Sequence, residues 1–184
     1  MNAGDGPLVA RVYAELADGA FHSGEALAES LGVTRGAVWK AAKSLRDLGA
    51  TLHAVRNRGY RLVSGGEPLS AAKIREHLAR GVRERVGRLD VFWSTGSTNT
   101  VLLERPNPAL GSCEIALAEY QTAGRGRRGR AWVAPPGGGI CLSLSWTFRE
   151  VPPELGALGL VVGVCSLRAL VSMGVEAEIG RAHV

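Results

Sequence analysis

Residues 119–132 read Glu-Tyr-Gln-Thr-Ala-Gly-Arg-Gly-Arg-Arg-Gly-Arg-Ala-Trp, with four arginines, three glycines and no acid after Glu119. Nothing apolar between Ala123 and Ala131 can anchor a core. This stretch must be a mobile, cationic, backbone-exposing loop, and the fold has to carry it between two ordered strands. Arginine forks grip carboxylate or phosphate through paired hydrogen bonds. Glycines let backbone N–H groups approach an anion closely. The segment therefore points to an anion whose identity the loop alone leaves open. A solvated basic loop and an arginine–glycine RNA-binding tract are the plainer readings. The second needs a low-complexity neighbourhood, which the flanking sequence lacks. No Gly-Lys-Ser/Thr follows the glycines, which excludes a Walker-type phosphate loop.

Residues 8–63 read as a self-contained unit. Leu8, Val9, Val12, Tyr13 and Leu16 form a helical stripe. Ser23 and Thr34 are caps for a second and a third helix, the second ending at Gly32 and the third at Gly49. Val38, Ala41, Leu45 and Leu48 line one face of the third. Two short strand-like runs follow, Leu52–Val55 and Tyr60–Val63, around the turn Arg56-Asn57-Arg58-Gly59. Three helices and a hairpin, in that order, predict a winged helix-turn-helix. Between residues 31 and 63 there are seven basic residues and one acid, Asp47. Thr34, Arg35 and Ala37 open the third helix, where base contacts usually originate. Lys40 and Lys43 can reach base edges or phosphates, and Arg56 and Arg58 at the wing tip meet phosphate or the minor groove. A winged helix used for protein contact, or a solvated basic face, are the plainer alternatives. The net charge of +5 favours anionic partners without choosing among them.

Ser64-Gly65-Gly66-Glu67-Pro68 is a linker by composition. Beyond it, Ser70 caps a helix through Ile74 and Leu78, and Leu89–Trp93 and Ile115–Ala118 read as strands. From Ile140 to Trp146, Ile140, Leu142, Leu144 and Trp146 alternate with Cys141, Ser143 and Ser145, the pattern of a half-buried strand. Residues 155–173 imitate a membrane span. Arg168 within it, Pro152-Pro153 before it and Gly174 after it predict a buried helix instead. Strands followed by a covering helix give an α+β class. Cys113, Cys141 and Cys165 are distant and odd in number, so a cytoplasmic protein with unpaired, mostly buried thiols is expected. The N-terminus lacks the basic-then-apolar pattern of a signal peptide, and the histidines show no metal-ligand spacing.

A second polar cluster lies at Ser97, Thr98 and Asn99, with Gln121 at the mouth of the arginine loop. Such groups suit a small polar molecule on an apolar floor, though Ser-Thr-Asn is also an ordinary helix cap. No histidine lies near Ser97 in sequence, and no Gly-x-Ser-x-Gly elbow occurs. The chemistry that fits is positioning and charge neutralisation, as in attack of a carboxylate on the α-phosphate of ATP.

Taken together these residues resemble the biotin–protein ligases, specifically the bifunctional type that also represses the biotin operon. The loop from Glu119 to Trp132 is similar to that family's biotin- and adenylate-binding loop, and Ser97-Thr98-Asn99 to its Ser-Thr-Asn motif. Phe21-His22-Ser23-Gly24-Glu25, Leu45-Arg46-Asp47 and Gly59-Tyr60 are similar to the repressor-type N-terminal domain. The resemblance implies a winged helix over 1–64, a linker over 65–69, and over 70–177 the first part of a class II synthetase-like mixed α/β ligase domain. It implies biotin and ATP as substrates, magnesium without identifiable ligands, and biotinyl-5′-adenylate as the product that biotinylates a lysine of a carboxylase carrier domain. It also implies operator DNA and an adenylate-bound homodimer. Ser97, Thr98, Asn99 and Gln121 would hold biotin. Gly124, Arg125, Gly126 and Arg127 would hold its carboxylate and the adenylate phosphate, with Arg125 and Arg127 neutralising charge in the reaction. Trp132 would pack on adenine as the loop orders around ligand.

The sequence departs from that pattern twice. Gly96 stands where the family usually has aspartate, and no Lys-Trp-Pro-Asn-Asp follows Ala177. Residues 178–184 can be encoded by a common sequencing adapter, so a truncated chain with a non-native tail and no biotin transfer of its own is expected. The alternative function is a non-enzymatic winged-helix regulator with a small-ligand sensing domain, which leaves the arginine loop beside Ser-Thr-Asn unexplained.

Overall fold

The structure is a computed structural model that describes residues 6–63 and 66–177, and for Arg127 the backbone alone. It divides into two compact units, residues 1–147 and 148–184. The expected tail at 178–184 and the Ser64-Gly65 part of the linker lie outside the described residues.

The first unit begins with α1 (Leu8–Glu15), α2 (Gly24–Leu31) and α3 (Arg35–Asp47). Local chemistry sets their ends. The Ser23 hydroxyl accepts the Ala26 N–H at 3.0 Å, the Thr34 hydroxyl accepts that of Ala37 at 3.2 Å, and Gly32 closes α2 at φ 64°. Val12, Leu16, Leu27, Val38 and Leu45 are almost fully buried between the helices, each contributing about 1.5–3 kcal/mol. The hairpin β1 (Leu52–Val55) and β2 (Gly59–Leu62) closes this core through the paired Leu52 and Leu62. His22 forms a single antiparallel bridge with Tyr60, which adds the connection before α2 to the two-stranded wing as a one-residue third strand. The winged helix read from the sequence is therefore present.

After α4 (Ala71–His77) and α5 (Arg80–Arg83) comes a mixed sheet. Its strands are β3 (Val86–Thr95), β4 (Cys113–Gln121) and β5 (Cys141–Trp146), in the order β3-β4-β5. α6 (Thr98–Leu103) is the crossover that makes β3 and β4 parallel, and β5 runs antiparallel to β4. Val86, Leu89, Cys113 and Leu117 form a second core with Leu69 and Ile74. Trp93 packs against the first core, its ring centroid 5.4 Å from that of Tyr13.

Three expectations change. The alternation along β5 is present, but the small polar side faces inward. Cys141 is buried and Ser143 half-buried, whereas Leu142 and Leu144 are exposed, because α6 packs on the serine face through Thr98. The apolar helix, a 3₁₀ turn at Leu155–Ala157 leading into α7 (Leu158–Ser172), has no buried residue; Leu160 is 74% exposed. By length and composition alone, Leu155–Ser172 is long and apolar enough to cross a membrane. Finally, Cys113 and Cys141 are buried as expected, but Cys165, on α7, is exposed.

Candidate functional site

The parallel pairing of β3 and β4 sets Thr95 opposite Gln121, so both strands end on one edge of the sheet, the edge where ligands of such sheets bind. Ser97 stands at the N-cap position of α6, yet its side chain makes no capping hydrogen bond. The helix start is held from the neighbouring strand instead. The Thr98 N–H and hydroxyl both donate to Gln121 Oε1, at 2.7 and 3.1 Å, and the same hydroxyl lies 2.8 Å from Ser143 Oγ. Thr98 is 3% exposed. With Oε1 occupied by Thr98, the Gln121 amide N–H groups are its remaining donors, and one of them faces the Cys141 thiol. Asn99 is exposed in the first turn. Ser143 joins this cluster without having been singled out from the sequence; its signal was the small face of the β5 alternation.

The arginine–glycine loop leaves the same edge. Thr122 N–H donates to Thr95 O and Ala123 N–H to Gly96 O, at 2.9 and 2.8 Å, prolonging the parallel ladder beyond the strands. The loop then closes on itself. Trp132 N–H donates to Gly124 O at 2.9 Å, Arg125 bridges Ala131, and Gly126 N–H donates to Arg130 O at 2.7 Å. A 3₁₀ turn at Arg127–Gly129 forms the tip, with Arg128 at φ 58° and Gly129 at φ 74°. Arg125 Nη2 donates to Thr100 Oγ1 at 3.2 Å, which turns this guanidinium towards α6 and the Ser97–Asn99 cluster. Trp132 is 59% exposed, leaving its indole face open. The Arg127 guanidinium lies outside the described atoms. The arrangement thus places amide donors, a hydroxyl cluster and Arg125 around one strand edge, the equipment for holding a polar molecule that carries an anion.

Two residues upstream of Gln121, Glu119 is 5% exposed and accepts the Leu69 N–H. Burial raises its pKa, while the amides of Leu69 and Gly137 oppose the shift. The folded chain therefore holds this proton to higher pH than the unfolded chain does. Stability is fullest below the ordinary carboxylate value of 4.5 and falls as pH rises through the raised folded value. Glu119→Gln keeps the acceptor and removes the ionisation. Its melting temperature is expected to gain on the parent as pH rises above the ordinary carboxylate value of 4.5; a difference that does not change with pH contradicts this.

The winged helix presents a separate surface. Arg35, Lys40 and Lys43 are exposed on α3, while Thr34 spends its hydroxyl on the Ala37 N–H and Ala37 itself is half-buried. A groove of about 790 Å³ lies between the start of α3 and the wing, lined by Arg35, Trp39, Arg56 and Asn57. Trp39, 51% exposed, was not among the sequence candidates. Its spacing from Arg35 and Lys43 marks it as a member of the outer face. Arg56 is exposed at the wing tip, whereas Arg58 lies over the Phe21 ring.

Residues 11–61 match the model of a helix-turn-helix domain, and residues 91–178 match that of the biotin/lipoate A/B protein ligase family. The chain is 40% identical over 161 residues to the bifunctional ligase/repressor BirA of Salmonella typhimurium, covering 88% of this chain and 48% of that protein. It is 38% identical over 172 residues to BirA of Escherichia coli, covering 94% and 51%. The biotin–[acetyl-CoA-carboxylase] ligase of Mycobacterium tuberculosis is 39% identical over 102 residues, covering 54% of this chain and 38% of that ligase. The chain thus spans about half the length of the first two relatives. Residues 91–178 are thus similar to the biotin/lipoate A/B protein ligase family, and a segment similar to a helix-turn-helix domain stands ahead of them.

Proposed function

We propose that the protein from which this chain's activity is read is a biotin–protein ligase that also represses transcription through its winged helix. The observation carrying this reading is the bonded cluster Thr98–Gln121–Ser143 at the mouth of the arginine–glycine loop. The division of labour is a DNA-binding domain over 1–64, a linker over 65–69 and the ligase segment over 70–177. Ser97, Thr98, Asn99 and Gln121 hold biotin by its polar groups. Gly124, Arg125, Gly126 and Arg127 surround the biotin carboxylate and the α-phosphate of ATP, and Trp132 covers the adenine.

In the first step a biotin carboxylate oxygen attacks the α-phosphorus, the bond to the bridging oxygen breaks, and pyrophosphate leaves. Arg125 and Arg127 neutralise the carboxylate on approach and the charge that grows on the phosphoryl oxygens. In the second step a carrier lysine amine attacks the acyl carbon of biotinyl-5′-adenylate, and AMP leaves with the bonding pair. Magnesium, which the family resemblance implies, would neutralise phosphate charge on ATP; among the described residues no group of three His, Cys, Asp or Glu gathers to hold a metal. The carrier is the biotin carboxyl carrier domain of acetyl-CoA carboxylase, the protein works in the cytoplasm, and the adenylate-bound form dimerises on operator DNA through Arg35, Lys40, Lys43 and Arg56.

Calorimetric titration of biotin, and then of biotinyl-5′-adenylate, into the chain tests the ligand reading. Binding of both is expected, and Gln121→Ala is expected to weaken the adenylate about tenfold or more, the cost of one hydrogen-bonding amide in a dry site. No binding of either ligand sinks the proposal.

A further inference from the structure

One feature of the wing lies outside the adenylate chemistry and has an unusual electrostatic arrangement. Phe21 sits half-buried before α2, next to His22, whose backbone exchanges hydrogen bonds of 2.9 and 2.8 Å with Tyr60. The Arg58 Cζ stands 4.5 Å from the centroid of the Phe21 ring, and the Arg61 Cζ stands 5.1 Å from it. Two cationic side chains thus share one aromatic ring. Among the described residues neither is in an ion pair. The Asp18 carboxylate, three residues before Phe21 in sequence, is engaged by His22 at 2.9 Å. Arg61 Nε is buried and without a hydrogen-bond partner. The ring quadrupole attracts both cations but offers no oxygen to an N–H donor. An anion bound by both guanidiniums would offset their like charge and supply oxygen acceptors.

We propose that Phe21, Arg58 and Arg61 form a phosphate seat on the wing, which takes one phosphodiester of a duplex backbone between the two guanidiniums. Phe21 is the positioning residue. Its flat face fixes the planes of both arginines before DNA arrives, so less side-chain entropy is lost on binding. The third strand, through His22 and Tyr60, keeps the ring in register with the wing. This inference rests on the DNA-binding reading of the winged helix. It adds Arg61 and Phe21 to the surface and gives Arg58 a partner.

The test is binding of the whole chain to a short labelled duplex across a salt series, followed by fluorescence anisotropy. Arg58→Ala and Arg61→Ala are each expected to lower the salt slope by about one counterion. Phe21→Leu keeps an apolar side chain and removes the quadrupole. It is expected to lower the slope similarly and to weaken binding about threefold to tenfold at fixed salt, with its melting temperature near that of the parent. Phe21→Trp is expected to restore parent behaviour. If Phe21→Leu binds as the parent does while Lys40→Ala binds more weakly, the seat is overturned and the DNA-binding reading stands. A parent chain without salt-dependent duplex binding overturns both. Displacement of the duplex by inorganic phosphate at constant ionic strength makes the seat a free-phosphate site and overturns its assignment to DNA.

Discussion

Gly124→Val is expected to abolish measurable binding of biotinyl-5′-adenylate, a loss of about 100-fold or more, equal to about 2.7 kcal/mol. The reason is space rather than backbone conformation, since Gly124 is not among the glycines at positive φ. A Cβ at this position would stand 2.6 Å from Trp132 O, 3.3 Å from Gln121 Nε2 and 3.4 Å from Trp132 Cβ. The first contact is with backbone and cannot be relieved by a rotamer change. The loop would have to open there, breaking the 2.9 Å bond from Trp132 N–H to Gly124 O. The second contact pushes on the amide that Thr98 holds. One substitution thus disturbs both Trp132 and the Gln121 amide, the residues proposed to cover adenine and to hold biotin. Gly126→Ala is the control in the same loop. Its Cβ would come no closer than 3.4 Å to Arg130 O, and a loss of no more than about threefold is expected. Calorimetry on both variants, with circular dichroism to confirm the fold, checks the contrast. Equal losses would mean that the loop's glycines matter for something other than the approach of Trp132 to Gly124.

The difference between these glycines was not open to inspection in the sequence, where both are simply glycines in a basic run. What local chemistry decides was readable. Ser23, Thr34 and Ser70 each cap the helix that their side-chain type and position suggested, and the hairpin turns where Arg56–Gly59 placed it. What depends on a distant partner was not. The period of β5 could be read from Ile140 to Trp146, but period alone does not say which face meets a neighbour. That is settled by Thr98, 45 residues away from Ser143. The same distance problem hid Ser143 from the site and Phe21 from the wing. For α7 the composition was read correctly as helix, bounded by Gly174 at φ 77°, while its burial depended on surfaces that no local pattern encodes. The strands were also longer than their apolar runs. β3 and β4 continue to Thr95 and Gln121 because backbone pairing, not side-chain hydrophobicity, carries them to the site.

Gly59→Ala should be the most destabilising single methyl in the winged helix, costing about 3–4 kcal/mol by the sum of two causes. Gly59 sits at φ 96°, where an L side chain is strained. In addition, its new Cβ would fall inside the contact shell of His22 O, 2.6 Å from His22 C and 2.7 Å from Ser23 Cα. The close approach exists because His22 and Tyr60 exchange backbone hydrogen bonds across this point. To admit a methyl group, the third strand must leave the wing, giving up both bonds at about 1 kcal/mol each. A fall in the melting temperature of the winged helix by about 10 °C or more is expected. Loss of duplex binding should accompany it, since Phe21 leaves with the strand. Gly32→Ala separates the two causes. At φ 64° it carries a similar conformational penalty, but its Cβ meets nothing within 4 Å, so about 1–2 kcal/mol is expected. If the two variants melt alike, backbone conformation alone sets the cost and the His22–Tyr60 pairing does not hold the wing. If Gly59→Ala melts well below Gly32→Ala, the surplus measures the third strand, and duplex affinity should fall with it.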